Sequence, residues 1–175
     1  VRIRALDLGS PALYRAYLLS HPQEWEALAD AIVVNESRFF REASLFQALG
    51  EHILPQLVRR RDEVGGRREL SLWSAGCSTG EEAYTLAMTA LESVPLPSLW
   101  DVQVLGTDLS GQNLARAREG VYEPRRLESL PQPWFDRYVQ PCSGGRVRVR
   151  ESARAITKFR THNLCGDIWA VAPQD

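Results

Sequence analysis

Cysteine, histidine and lysine are all scarce in this chain, and each scarcity narrows what it can do. The three cysteines, Cys77, Cys142 and Cys165, are an odd set with no CxxC spacing, and the three histidines form no HExxH-like cluster. Neither a disulfide framework nor a zinc site is indicated, so no metal is expected. No apolar run approaches the roughly 18 residues of a membrane span, and the N-terminal stretch lacks the apolar core of a signal peptide. A soluble, cytoplasmic protein is expected. A strong field of one sign is also missing: the formal net charge is -1, although all but one of the 21 basic residues are arginine. The local clusters at Arg59, Arg60, Arg61 and at Arg67, Arg68 are interleaved with Asp62, Glu63 and Glu69 and carry no aromatics. A nucleic-acid groove is therefore not expected. What is present is a 44% hydrophobic chain of 175 residues, long enough to bury one substantial core.

The most informative stretch runs from Leu70 to Thr85, where a short apolar run breaks into a turn with Gly76 and Gly80 and then into a helical pattern. Ala83, Leu86, Ala87, Ala90, Leu91 and Val94 recur at the spacing of one buried helical face. Both glycines permit positive φ and close approach of a ligand, with free loop amides at the helix N-terminus. Glu81 and Glu82 stand where a phosphate loop needs neutral or positive groups, and the Lys-Ser/Thr of a Walker loop is missing. Carboxylates there suit a ligand with an ammonium group or ribose hydroxyls. Residues 101–108 form a second apolar run ending at Asp108, the position of the ribose-binding acid in doubly wound sheets. Ser110 is the expected N-cap of a helix over 112–119.

Helical patterns cover 11–19, 20–33 and 44–58. The second places Trp25, Leu28, Ala29, Ile32 and Val33 on one face behind a capping box at Ser20 and Gln23. The third carries Leu45, Leu49, Ile53 and Leu57 on a stripe, with a kink near Pro55. Residues 62–68, with Gly65 and Gly66, read as a polar linker and the domain boundary. Between the second and third patterns, Asn35-Glu-Ser-Arg-Phe-Phe-Arg41 is either a helix start capped by Ser37 or Asn35 or a functional segment. Its adjacent phenylalanines cannot share a helix face, so one is expected in the core and the other at a pocket or neighbouring domain. After Gly120 the pattern becomes β: residues 146–150 alternate, and 156–159 form a further short strand. Arg146, Arg148 and Arg150 then make an outward stripe, which either protects an edge strand or docks an acidic peptide along it.

Taken together, these segments resemble the CheR-type chemotaxis receptor methyltransferases, which use S-adenosylmethionine to methylate glutamate side chains of chemoreceptors. The likeness runs from about Leu13 to Trp169. Asn35-Glu-Ser-Arg-Phe-Phe-Arg-Glu42 is similar to the family segment N-L-T-x-F-F-R-E, and Trp73-Ser-Ala-Gly-Cys-Ser-Thr-Gly-Glu-Glu82 to its first cofactor loop. Gly106-Thr-Asp-Leu109 resembles its ribose-acid strand, Ala117-Arg-Glu-Gly-Val-Tyr122 the helix end that follows, and Asn163-Leu164 a later adenine contact.

The resemblance implies a Rossmann-like class I methyltransferase fold behind a small helical domain, with an inserted antiparallel β-subdomain. The expected division is 1–61 helical, 67–175 cofactor-binding, and about 138–160 β-subdomain. It further implies that Asn35, Ser37 and Arg41 touch the cofactor's methionine end and that Glu81 takes its ammonium. Asp108 would hold the ribose, Asn163 and Leu164 would flank the adenine, and Ala75 and Gly76 belong to the cofactor loop. Glu36 stands where the family has leucine. The expected substrate is the cytoplasmic domain of a methyl-accepting receptor, with no nucleic acid and no membrane insertion. Family segments beyond both ends are expected to be missing, so the chain reads as a fragment. No catalytic base is required, because a carboxylate is already the nucleophile at neutral pH. The arginine that orients it is left open among Arg38, Arg59, Arg60 and Arg61, with Arg41 a positional candidate. Two alternatives stand beside this reading: a non-catalytic domain that binds cofactor or receptor, and an α/β-hydrolase with Ser78, Asp108 and His162 as triad.

Overall fold

A computed structural model describes residues 1–33, 37–65 and 67–166. Three helices open the chain: α1 (Arg2–Ala5), α2 (Pro11–Ser20) and α3 (Glu24–Ile32). Ser10 caps α2, accepting the Leu13 amide, with Pro11 in the first turn. The expected capping box at Ser20 does not form, because Ser20 ends α2 and its hydroxyl turns back to the Ala16 and Tyr17 carbonyls. On α3 the expected apolar face is partly covered: Ala29 is buried and Leu28 and Val33 are half-buried, whereas Trp25 and Ile32 are exposed, and Glu24 is the other buried residue of the helix. Glu24 is buried because Arg2 grips both its oxygens at 2.7 Å and the Tyr14 hydroxyl donates to it at 3.0 Å. Those bonds hold its carboxyl below the ordinary range.

A long helical rod follows as α4 (Ala43–Ala48), a π-turn (Leu49–Ile53) and α5 (Leu54–Val64). Its buried residues are Phe46, Leu54 and Val58, whereas Leu45, Ile53 and Leu57 are exposed. The true contact line is one residue later than the expected stripe and passes through Gly50, where a Cβ would lie 3.1 Å from Ser93 Oγ. Helix α5 continues through residues 62–64 and stops at Gly65, whose φ of 66° closes it. The first three residues of the expected linker are thus helix.

The main sheet is parallel, in the order β1 (Glu69–Ala75), β2 (Asp101–Asp108), β6 (Thr157–Thr161). Helix α6 (Glu81–Ser93) joins β1 to β2, and α7 (Gly111–Glu119) leaves β2. Ser110 caps α7 as expected, accepting the Asn113 amide. Helix α6 is buried on more than one face, and Thr85, Thr89 and Ser93 meet this by donating to the carbonyls four residues back. A second, antiparallel sheet combines β3 (Val121–Tyr122), β4 (Val139–Pro141) and β5 (Val147–Val149), with α8 (Gln132–Tyr138) before β4 and α9 (Glu151–Arg154) after β5. Residues 157–161 therefore leave the small sheet and join the parallel one. Strand β5 lies between β3 and β4. It has no free edge, so a peptide cannot add along the arginine-bearing strand itself. Arg146, Arg148 and Arg150 are all exposed, and Arg150 also donates through Nε to the Val139 carbonyl as a brace. No helix among the described residues is long and apolar enough to cross a membrane.

Candidate functional site

Parallel pairing of Ala75 with Thr107, and of Asp108 with Thr161, aligns the carboxyl ends of all three strands. Ligands of open α/β sheets bind beyond such ends, and a cleft of about 400 Å3 opens there. One wall is the segment before α4, with Ser37, Arg38, Arg41 and Glu42. The other is the loop after β1 and the tip of β2, with Gly76, Cys77, Ser78, Glu82 and Asp108.

Gly76 and Gly80 take the expected positive φ, 75° and 94°, and Ser78 shares that region at 50°. The loop amides are not free, however. Gly76 and Cys77 both donate to the Thr107 carbonyl at 2.8 Å, Ser78 to Asp108 Oδ2 at 2.8 Å, and Gly80 to the Cys77 carbonyl. A loop so satisfied is no anion cradle, which agrees with the acidic residues beside it. Asp108 is buried and also accepts from the Ser110 amide at 2.9 Å, so one carboxylate joins the loops leaving β1 and β2. Each of its oxygens keeps a second lone pair for a ligand hydroxyl. Burial, then the charge of Asp108, pushes the Cys77 thiol up to about 12, so it stays protonated.

Glu81 and Glu82 part company at the start of α6, as adjacent helical positions must. Glu81, expected to take an ammonium, is fully buried and accepts from Arg126 at 2.6 Å and Thr79 at 2.7 Å. Glu82 lines the cleft instead, held by the Ser74 hydroxyl at 2.6 Å. Arg126 went unnoticed in the sequence. It donates to both Glu81 and the Ser37 carbonyl, at 2.8 Å for the latter, while its own carbonyl accepts from Phe39. It therefore pins the segment before α4 to the start of α6. Phe39 is buried against Tyr122, and Phe40 turns to a second hollow beside Phe46 and Trp134, the division expected of the pair. Ser37 caps no helix, since α4 begins at Ala43.

Asn35 lies outside the described residues. Asn163 and Leu164 follow β6 at the same end of the sheet but do not line this cleft; Asn163 accepts from the Cys165 amide. Ala75 ends β1 beside Gly76. Of the four open arginines, Arg38 lines the cleft, and Arg59, Arg60 and Arg61 are exposed on α5. The hydrolase triad is not assembled: Ser78 Oγ and His162 Nε2 are each buried without a partner, and both oxygens of Asp108 hold backbone amides.

The donor set fits S-adenosylmethionine. Ser78 Oγ is buried at the cleft with no acceptor or donor, a group that calls for a ligand atom. A Cβ on Gly76 would meet nothing within 4 Å, which leaves room for close approach. Carboxylates at Glu82 and Asp108 line the cleft together with Arg38 and Arg41, a set that matches an ammonium, a ribose diol and a carboxylate.

Comparison with known proteins bears on the same residues. Residues 35–174 match the family described as CheR methyltransferase, SAM binding domain. The chain is 36% identical over 176 residues to chemotaxis protein methyltransferase 2 of Pseudomonas aeruginosa, covering 98% of this chain and 59% of that protein. It is 34% identical to the chemotaxis protein methyltransferase of Salmonella typhimurium over 93% of this chain and 54% of the relative. The corresponding figures for the Escherichia coli protein are 34%, 97% and 57%. The chain thus spans little more than half the length of these relatives. With the family match covering most of its residues, the chain belongs to the CheR methyltransferase family and carries residues matching its S-adenosylmethionine-binding domain.

Proposed function

We propose that the protein to which this chain belongs transfers a methyl group to glutamate side chains of a chemoreceptor's cytoplasmic domain, acting in the cytoplasm. The observation that carries this reading is the cleft at the strand ends, lined by Asp108, Glu82, Arg38 and Arg41 within the residues that match the family. The names of the relatives, chemotaxis protein methyltransferases, support the choice of substrate.

When bound, the cofactor supplies an electrophilic methyl on a sulfonium, a group that needs no acid to leave. Asp108 accepts the ribose hydroxyls, and Arg41 pairs the methionine carboxylate through its planar fork. Glu82 takes the ammonium, in place of the expected Glu81. Asn35 and Ser37 close the methionine end, and Asn163 with Leu164 flank the adenine. Arg38, exposed at the rim, is the arginine best situated to orient the incoming glutamate. With the methyl supplied in this way and the incoming carboxylate already a nucleophile, the part of these residues would be alignment and exclusion of water rather than proton transfer. The exposed Arg146 and Arg148 offer charge complementarity to an acidic receptor segment.

Incubation with methyl-labelled S-adenosylmethionine and a receptor cytoplasmic fragment tests the reading. Base-labile label on receptor glutamates is the expected result. Calorimetric binding of S-adenosylhomocysteine without any transfer would instead favour a binding domain.

A further inference from the structure

On the outer edge of the parallel sheet, β6 and the ends of α7 and α9 enclose another hollow, of about 490 Å3. Four cationic side chains line it, Arg118, Arg154, Lys158 and Arg160, against one carboxylate, Glu151. This excess sits in a chain of net charge -1, and Lys158 is the one basic residue that is not arginine. Arg154 Nε is buried without a partner, while its other nitrogens donate to Glu151 and to the Arg118 carbonyl. A buried donor left unpaired is costly and calls for an acceptor. The existing bridge to Glu151 is long, 3.3 Å, and Glu151 is 76% exposed. Such a pair contributes little and yields to a stronger anion. Tyr84, Leu105 and Phe159 form an apolar wall beside the charges. The volume suits a small molecule.

We propose that this hollow binds a small phosphate-bearing ligand, with Arg154, Lys158 and Arg160 around the phosphate and Phe159 beside the group that carries it. It is separate from the cofactor cleft, with which it shares no lining residue. The inference does not depend on methyl transfer.

The test is calorimetry of the chain at low ionic strength, with S-adenosylhomocysteine saturating the other cleft. Inorganic pyrophosphate is expected to bind saturably at one site, more weakly as salt rises. Lys158→Gln and Arg154→Gln should each weaken it about tenfold, and Glu151→Gln should tighten it. Adenosine triphosphate forms a second arm: tighter binding than pyrophosphate assigns a nucleotide with its base near Phe159, and equal binding assigns the phosphates alone. Lys158 is exposed, so its variant should melt with the parent. Absence of saturable binding by both probes, or binding that Lys158→Gln and Arg154→Gln leave unchanged, overturns the proposal.

Discussion

At the scale of single residues, Asp108 and Arg126 do different work on the same cleft. Asp108→Asn keeps the shape but places an amide NH2 against either the Ser78 or the Ser110 amide and removes the charged acceptor. S-adenosylhomocysteine affinity is expected to fall tenfold or more, since bonds to charged groups contribute roughly 1.5 to 3 kcal/mol; unchanged calorimetric affinity in a folded variant would remove Asp108 from the site. Arg126→Met leaves the fully buried Glu81 carboxylate with only the Thr79 hydroxyl. Orphaning a buried charge costs about 3 to 5 kcal/mol, and the 36% exposure of Arg126 argues for the lower end. Urea unfolding should show that loss, and Glu81→Gln in the same chain should recover part of it. Asp108 was legible because a carboxylate ending an apolar strand has few structural excuses. Arg126 was not, because an arginine 45 positions from its partner leaves no periodic trace, and nothing in the sequence decides which of Glu81 and Glu82 turns inward.

Elements were easier to locate than to orient. The rod from α4 to α5 was visible in the apolar spacing, but leucines sit on adjacent lines, and Gly50 hides the true contact line by contributing no side chain to it. Gly50→Leu should push the rod off α6, where even a Cβ meets Ser93 and Thr89 at 3.1 and 3.2 Å. A loss of about 1 to 3 kcal/mol in thermal or urea unfolding is expected for such overpacking, whereas a neutral effect would mean that the rod is not seated there. The helices at the start of the chain hold together partly through Glu24, whose carboxyl is held low chiefly by its hydrogen bonds to Arg2. A carboxyl held low in the folded state stabilises above its unfolded pKa, and that contribution fades as pH falls through the folded value. The stability gap between the parent and Glu24→Gln should therefore be widest near neutrality and shrink below the ordinary carboxylate range, as denaturant titrations at stepped pH would show.

For the whole molecule, the parallel order of β1, β2 and β6 gathers the chemistry at one end of the sheet: β1 and β2 announce themselves by apolar runs and the cofactor end is legible where those runs stop, whereas β6, with Lys158 and Arg160 among its five residues, carries no such signal. The small sheet was less legible because the two-residue β3 reaches β5 from the far side of α8, and so β5 looked like an edge when it is the centre. This alters what Arg146 and Arg148 can do for a partner. Replacing both with serine should raise the KM for a receptor fragment while leaving S-adenosylhomocysteine affinity intact; identical receptor kinetics at low salt would reduce them to solvated charge. The position of Lys158 has a consequence of another kind. A lysine-specific protease has a single bond to cut in the whole chain, and that bond lies within β6, held by the ladder to β2. Cleavage must wait until this edge strand of the described sheet lifts away. The rate of one proteolytic nick, followed against time and denaturant, then reports the opening of that strand alone, apart from global unfolding.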